Sequence, residues 1–199
     1  IESKITSKTK VIIPVHLYGQ MADMQKIIKI ASKYNLKVIE DSAQAHLSKM
    51  KLNDNSWKYA GTFGDMATFS FFPGKNLGAY GDAGAIVTNN DKYANLARMY
   101  SNHGRIAKYN HEIEGVNSRL DNLQAAILNV KLNYLKDWTE KRRKIAASYS
   151  KILSNITEIV IPKVNDKFNP SWHLYVIRVK RRKELIDFLN KNGVSTGIH

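Results

Sequence analysis

Between Val11 and Glu40 the chain spells out a strand, a helix and a second strand, and no other feature limits its fold as strongly. Val11-Ile12-Ile13-Pro14-Val15-His16-Leu17 is a short apolar run of the kind buried in a parallel sheet, and Gly19-Gln20 breaks it. Met24, Ile27, Ile28 and Ala31 then recur at i, i+3, i+4 and i+7, which predicts an amphipathic helix closing near Asn35. Lys37-Val38-Ile39-Glu40 follows as another short strand. Two strands joined through one helix form a βαβ unit, in which the pairing is parallel and the crossover right-handed. The expected fold class is therefore α/β, built on a parallel-rich sheet.

Met66 to Phe72 and Ala85 to Thr88 predict two more strands, separated by a glycine-rich turn. Tyr93, Leu96, Ala97 and Tyr100 have helical spacing. Leu120, Leu123, Ile127, Val130 and Tyr134 predict a long helix that continues past Trp138 or breaks and restarts before a basic run. Met50 to Ala60 reads as a local hairpin. Strands are expected at Ile159-Val160-Ile161, Trp172 to Val179 and Val194 to Ile198, with a helix from Lys183 to Asn192. Strands and a helix after a long connecting helix suggest a second, smaller α+β domain. The expected division is 1–119 and 120–199. The opening lacks an initiator Met and the close reads as a strand just beginning, so a fragment cut at both ends is expected.

Composition removes several classes of function. There is no cysteine, hence no disulfide framework and no thiolate to hold a metal, which fits a reducing, cytoplasmic setting. No apolar run approaches the ~18–20 residues of a membrane span, and the Lys-rich opening has no signal-peptide core. None of the six histidines has metal-site spacing. The net charge of +14 has two readings. Lys141-Arg142-Arg143-Lys144 and Lys180-Arg181-Arg182-Lys183 could contact nucleic acid, or they could be solvated ends of predicted helices. Neither run is interleaved with aromatics, which favours the second reading.

Gly74-Lys75 invites a phosphate-loop reading, but Phe69 and Asn76 stand where a Walker motif needs glycine and Ser/Thr. Gly78, Gly81 and Gly84 precede a strand rather than a helix, so a dinucleotide fingerprint fails as well. What remains is a lysine at the end of an apolar strand, between Pro73-Gly74 and a glycine-rich turn. Held by a rigid strand end and backed by aromatics, such a lysine can form a Schiff base with an aldehyde cofactor; it can equally be a solvated turn residue. Asp41 ends another buried strand, where open parallel sheets bind ligands, although alone it reads as a cap or turn residue. Pyridoxal phosphate (PLP) needs this pair, a lysine for the imine and an acid to keep the ring nitrogen protonated.

Several long motifs carry a resemblance. They are Pro14-Val15-His16-Leu17-Tyr18-Gly19-Gln20, Glu40-Asp41-Ser42-Ala43-Gln44-Ala45-His46, Ser70-Phe71-Phe72-Pro73-Gly74-Lys75-Asn76-Leu77-Gly78, Gly81-Asp82-Ala83-Gly84-Ala85 and Gly115-Val116-Asn117-Ser118-Arg119-Leu120-Asp121. In this order they resemble the DegT/DnrJ/EryC1/StrS aminotransferases, PLP-dependent enzymes of nucleotide-linked keto-sugars. The resemblance implies a fold-type-I aminotransferase: a parallel-rich α/β/α sandwich followed by a small α+β domain. It implies Lys75 as Schiff-base lysine and proton shuttle, and Asp41 as partner of the pyridine nitrogen. It further implies Gln44 near the ring 3-hydroxyl, Ser70 as a phosphate ligand, and Asn117 reaching the phosphate from the neighbouring subunit of a homodimer. Members with histidine in place of the lysine act as sugar dehydratases, and Lys75 argues against that branch. L-glutamate is the implied amino donor. The form of the lysine motif, with Tyr109-Asn110-His111 and the Asn117 block, is most similar to members that aminate C3 of a dTDP-3-keto-6-deoxyhexose. The alternatives are amination at C4 or of another ketone, a non-catalytic family member, and a basic nucleic-acid module. Tyr18, Tyr80, His111 and Arg119 are candidate substrate-side residues, each equally readable as a core or interface residue. Leu47-Ser48 departs from the family, where glycine then alanine are common.

Overall fold

The computed structural model describes residues 1–199. The apolar run yields β1 (Val11–Ile12), which pairs in parallel with the strand after the helix. Pro14 has no N–H to continue the ladder, but its carbonyl accepts Asp41 N at 2.9 Å and His16 N donates to Asp41 O at 3.0 Å, so the pairing resumes beyond it. Helix α1 (Met24–Lys33) is capped by Asp23, whose Oδ1 accepts Lys26 N. It buries Met24, Ile27 and Ala31 against Val38, Ala45, Met50 and Ala60, the main apolar core. Truncating Met24 there would cost about 2–5 kcal/mol, because a cavity adds to the lost transfer energy.

Strand β2 (Lys37–Asp41) is followed by the expected hairpin, β3 (Lys49–Lys51) and β4 (Trp57–Tyr59). Next come β5 (Met66–Ser70) and β6 (Gly84–Val87), and the main sheet has the order β1-β2-β5-β6. The first three strands are parallel, as the βαβ pattern predicts, while β6 returns antiparallel to β5. Helix α2 (Asp91–Ser101) is capped by Asn90 Oδ1, which accepts Lys92 N and Tyr93 N. A small hairpin without a clear apolar pattern, β7 (Arg105–Ala107) and β8 (Asn110–His111), comes next.

The predicted long helix is two, α3 (Asn122–Leu132) and α4 (Leu135–Leu153), broken at Asn133-Tyr134. The basic run 141–144 lies in the middle of α4, not near a helix end. After it come β9 (Ile159–Val160), β10 (Phe168–Asn169), β11 (Arg178–Val179) and helix α5 (Arg182–Lys191). Two expectations for this region are corrected. Of Trp172 to Val179 only Arg178-Val179 is a strand, because the backbone of 171–174 bonds to loops of the main sheet instead. Residues 194–198 have no partner strand and are exposed coil. β10 pairs with β3 and so brings 168–174 to the end of the main sheet.

Candidate active site

The C-terminal ends of β2 and β5 lie side by side, with Asp41 in register with Thr68. A buried ionic network fixes β2. Glu40 is 0% exposed, and its two carboxylate oxygens accept from Phe63 N (2.6 Å), Gly64 N (2.8 Å), Gly61 N (2.9 Å) and His16 Nε2 (2.9 Å). Burial alone would raise the Glu40 carboxyl, but the bonds from His16 and the three amides hold it below its ordinary value. His16 Nδ1 accepts Ala22 N at 3.2 Å, so its proton sits on Nε2 and points at the carboxylate. Nothing in the strand pattern Lys-Val-Ile-Glu-Asp flagged this pair beyond one charged residue on the inward parity.

Asp41, next along, emerges half-buried at the strand end. Its Oδ1 accepts Ala43 N at 3.0 Å. Gln44 Oε1 accepts Tyr18 N at 2.6 Å, which ties the loop after β1 to the loop after β2 and leaves the amide nitrogen of Gln44 to face elsewhere. Ser70 closes β5, where its hydroxyl oxygen accepts Phe72 N at 3.3 Å and keeps its proton to donate. The chain then turns, with Lys75 N bonded to Phe72 O. Gly78 closes this turn under the strand end, because a Cβ there would lie 2.4 Å from Pro73 O. Lys75 is half-buried and belongs to none of the chain's ion pairs. Four of the five predicted residues thus fall on adjoining strand ends and their turns.

Asn117 stands apart. It is exposed, its backbone bridges to Asn102 after α2, and its Oδ1 accepts Arg119 Nε at 3.0 Å. Of the candidate substrate-side residues, Tyr18 lies in this loop cluster, with its hydroxyl 3.1 Å from His199 Nδ1. Tyr80 is exposed beyond the turn and its amide donates to Gln124 Oε1. Arg119 pairs with Asn117, and His111 Nδ1 bonds to His103 O.

The segment from Asn169 to Leu174 straps over these loops, which the sequence pattern did not reveal. Ser171, fully buried, donates its N–H to Gly19 O and to Ser48 Oγ, both at 3.1 Å. Ser48 Oγ donates to Gly19 O at 2.5 Å. His173 N and Leu174 N both reach Tyr18 O. Gly19 is required here: at φ +93, a Cβ would meet Ser171 Oγ at 2.7 Å and Trp172 N at 2.9 Å. Tyr18, Leu47 and Trp172 have φ of 60, 60 and 52, a costly conformation for bulky side chains that clusters around this crossing. Leu47, where the family favours glycine, is supported by Arg143 Nη2 on its carbonyl at 2.9 Å. Arg143 also donates to Pro170 O and Asn169 O, and Arg142 to Trp172 O and His173 O. Half of the basic run 141–144 is therefore a set of staples on backbone carbonyls rather than a solvated face.

His46 sits under the site with its ring 5.4 Å from Phe69 and 5.8 Å from Phe71, buried, and with no partner on either nitrogen. Burial, helped by the nearby His173 and Lys75, pushes it down to about 4, so it is neutral at ordinary pH. Neither His46 nor Asn76, which binds Ser171 O, was predicted; their signal was only adjacency to Gln44 and Lys75. An unpaired lysine, a carboxylate oxygen of Asp41 not used by Ala43, and a serine proton at the neighbouring strand end match what PLP offers: an aldehyde, a ring nitrogen and a phosphate.

Known proteins resemble this chain along its whole length. The family model described as DegT/DnrJ/EryC1/StrS aminotransferase family matches residues 1–199. A dTDP-3-amino-3,6-dideoxy-alpha-D-galactopyranose transaminase of Aneurinibacillus thermoaerophilus is 51% identical over 100% of this chain and 53% of its own length. A "pleiotropic regulatory protein" of Geobacillus stearothermophilus is 49% identical over 100% of this chain and 53% of its own. The crystal structure of NtdA from Bacillus subtilis, with bound cofactor PMP, superposes with a TM-score of 0.85 at 40% identity, over 100% of this chain and 45% of that one. The chain thus spans about half the length of the relatives it matches. With the family motifs seated on its strand ends, the chain belongs to the DegT/DnrJ/EryC1/StrS aminotransferase family.

Proposed function

We propose that the full protein is a PLP-dependent aminotransferase of a nucleotide-linked keto-sugar, with Lys75 as the residue that holds the cofactor. The observation that carries this reading is Lys75 itself: no ion pair occupies it, and it stands on a turn just beyond parallel strand ends that close in Asp41 and Ser70. PLP would supply an electron sink that carries an amino group between two carbonyl carbons. Lys75 anchors the cofactor and, once released, holds or delivers the proton at the reacting carbon. Asp41 offers its free oxygen to the ring nitrogen, Gln44 its amide nitrogen to the ring hydroxyl, and Ser70 its hydroxyl proton to the phosphate. Asn117, exposed on the loop after β8, serves the site of a second copy. That role fits a homodimer, as do Tyr109, Leu123 and Val130, which are 84%, 69% and 63% exposed on the same stretch of chain. Residues 1–119 form part of the cofactor domain, and 120–199 the linking helix and the start of the small C-terminal domain.

We infer L-glutamate as donor and C3 of a dTDP-3-keto-6-deoxyhexose as acceptor; the name of the Aneurinibacillus relative, a dTDP-3-amino-3,6-dideoxy-alpha-D-galactopyranose transaminase, supports the position and the nucleotide. The regulatory name of the Geobacillus relative favours one other reading, a non-catalytic role. No helix is long and apolar enough to cross a membrane. The test is to incubate the full-length protein with PLP, L-glutamate and either a 3-keto or a 4-keto dTDP-sugar, and to identify the product by mass spectrometry and NMR. Amination of the 3-keto sugar alone is expected. Amination of the 4-keto sugar would overturn the position, and no amination with either would favour the regulatory reading.

A further inference from the structure

The Gln44 amide is turned by a backbone group that can only donate. Tyr18 N lies 2.6 Å from one end of it, so that end is Oε1 and the other is the NH2. The second hydrogen bond of Gln44 is on its backbone, where the carbonyl accepts Ser171 Oγ at 3.3 Å. Nε2 is thus left with both protons to give.

Tyr18 N does not take this direction unaided. Tyr18 has φ 60 and ψ 8, in the left-handed region that a bulky side chain avoids. The strap holds it there. Tyr18 O accepts His173 N at 2.9 Å and Leu174 N at 3.4 Å, and the next carbonyl, Gly19 O, accepts Ser171 N at 3.1 Å. Two consecutive carbonyls of the turn are therefore gripped by strap amides, while the N–H of the same turn grips Gln44.

Ser171 joins the two loops. Its N–H goes to Gly19 O after β1, and its hydroxyl goes to Gln44 O after β2. The Ser48 hydroxyl, 2.9 Å from that of Ser171, gives its one proton to Gly19 O, so the Ser171 proton is free to serve Gln44. Both serines are 0% exposed, and Ser171 O accepts Asn76 Nδ2 at 3.1 Å, which ties in the turn that carries Lys75. The charged and titratable groups around this junction are Lys75 and His46 on the site side, His173 in the strap, Arg142 and Arg143 from α4, and His199 at the Tyr18 hydroxyl.

We propose that Ser171 is a positioning residue that acts through Gln44. By bonding the Gly19 and Gln44 carbonyls at once, it fixes the turn whose Tyr18 N–H occupies Gln44 Oε1, so that Gln44 offers the oxygen on the cofactor ring a donor and not an acceptor. A fixed donor favours that oxygen as an anion. A residue 127 positions from Gln44 in sequence thereby tunes the cofactor. This inference rests on the reading of the chain as a PLP enzyme with Gln44 beside the ring hydroxyl.

Two measurements on the full-length protein test it. In the protein without cofactor, NMR hydrogen exchange should find Tyr18 N–H as protected as His173 N–H, its neighbour in the junction. Exchange of Tyr18 N–H at the rate of an open amide would overturn the proposal even if every variant misfolds. The second measurement titrates the visible band of bound PLP with pH in the wild type, Ser171→Ala, Gln44→Leu and the double variant. The proton on the lysine–cofactor nitrogen is shared with the ring oxygen, so a donor to that oxygen loosens it and lets it leave at lower pH. Gln44→Leu should raise the midpoint by about one pH unit, the scale of one charged hydrogen bond. Ser171→Ala should raise it by about half as much, and the double variant no further than Gln44→Leu alone, because Ser171 works through Gln44. An unmoved midpoint in Ser171→Ala, or the same added rise in the Gln44→Leu background, would overturn the proposal and leave the PLP reading standing. An unmoved midpoint in Gln44→Leu would remove Gln44 from the ring, and the proposal with it. Absence of the band in the wild type would overturn the PLP reading itself.

Discussion

Replacing Glu40 by glutamine changes one atom and leaves the volume unchanged, yet the structure assigns it a large effect. Each carboxylate oxygen of Glu40 accepts two N–H donors: Phe63 and Gly64 on Oε1, and His16 and Gly61 on Oε2. Glutamine has one accepting oxygen, so whichever way the amide turns, its NH2 faces two donors. His16 cannot relieve the clash by moving its proton to Nδ1, because Ala22 N already donates there. Two bonds to an ionised group are lost, each about 1.5–3 kcal/mol, which predicts about 3–6 kcal/mol of destabilisation. That is a large share of the ~5–15 kcal/mol by which a typical protein is stable. Equilibrium urea unfolding of the full-length protein measures the total. Hydrogen exchange at the amides of Gly61, Phe63 and Gly64 should accelerate with it. A loss below about 1 kcal/mol, with those amides still protected, would refute the view that the carboxylate charge organises this end of β2.

Further outcomes follow from the same contacts. His46 is kept neutral in the fold with a pKa of about 4 but regains an ordinary value near 6.5 when unfolded. Its proton is therefore bound preferentially by the unfolded chain, and stability should be unaffected above pH ~6.5 and decline as pH falls towards 4, by about 3 kcal/mol from this ring. His46→Leu should flatten that acid limb in pH-dependent unfolding, and an unchanged limb would contradict the assignment. Arg143→Met strips the carbonyls of Leu47, Asn169 and Pro170 of a shared donor and should cost about 2–4 kcal/mol in urea unfolding. Arg143→Lys should recover only part, since an ammonium cannot span the same fork. By contrast, Lys26→Ala, which removes a partner of Asp23 that is 81% exposed, should change stability little.

The βαβ unit was legible because its signals are local: an apolar run broken at Gly19-Gln20, a helical apolar stripe over Met24, Ile27 and Ala31, and a second short apolar run at Val38-Ile39. The neighbouring positions of Asp41 and Lys75 at adjoining strand ends were legible from the strand pattern, whereas Gln44 and Ser70 were singled out only by the family motifs. The strap was not. Ser171 meets Gln44 and Ser48 across more than a hundred residues of sequence, and an apolar stretch that fits a strand by composition was drawn off by carbonyls and hydroxyls of distant loops. The left-handed backbone at Tyr18, Leu47 and Trp172 left no trace, since side chains of that size rarely mark such a turn. Arg142 and Arg143 read as solvated charge because a run of basic residues does not announce which of its members turn inward.

The central claim is that Lys75 carries the cofactor. The most direct test is the visible absorption spectrum of the full-length protein with PLP, before and after L-glutamate, beside the same scan of Lys75→Ala. The account predicts a band in the wild type that glutamate abolishes and that the variant never forms. A band that persists unchanged in Lys75→Ala, or no band in the wild type, would contradict it.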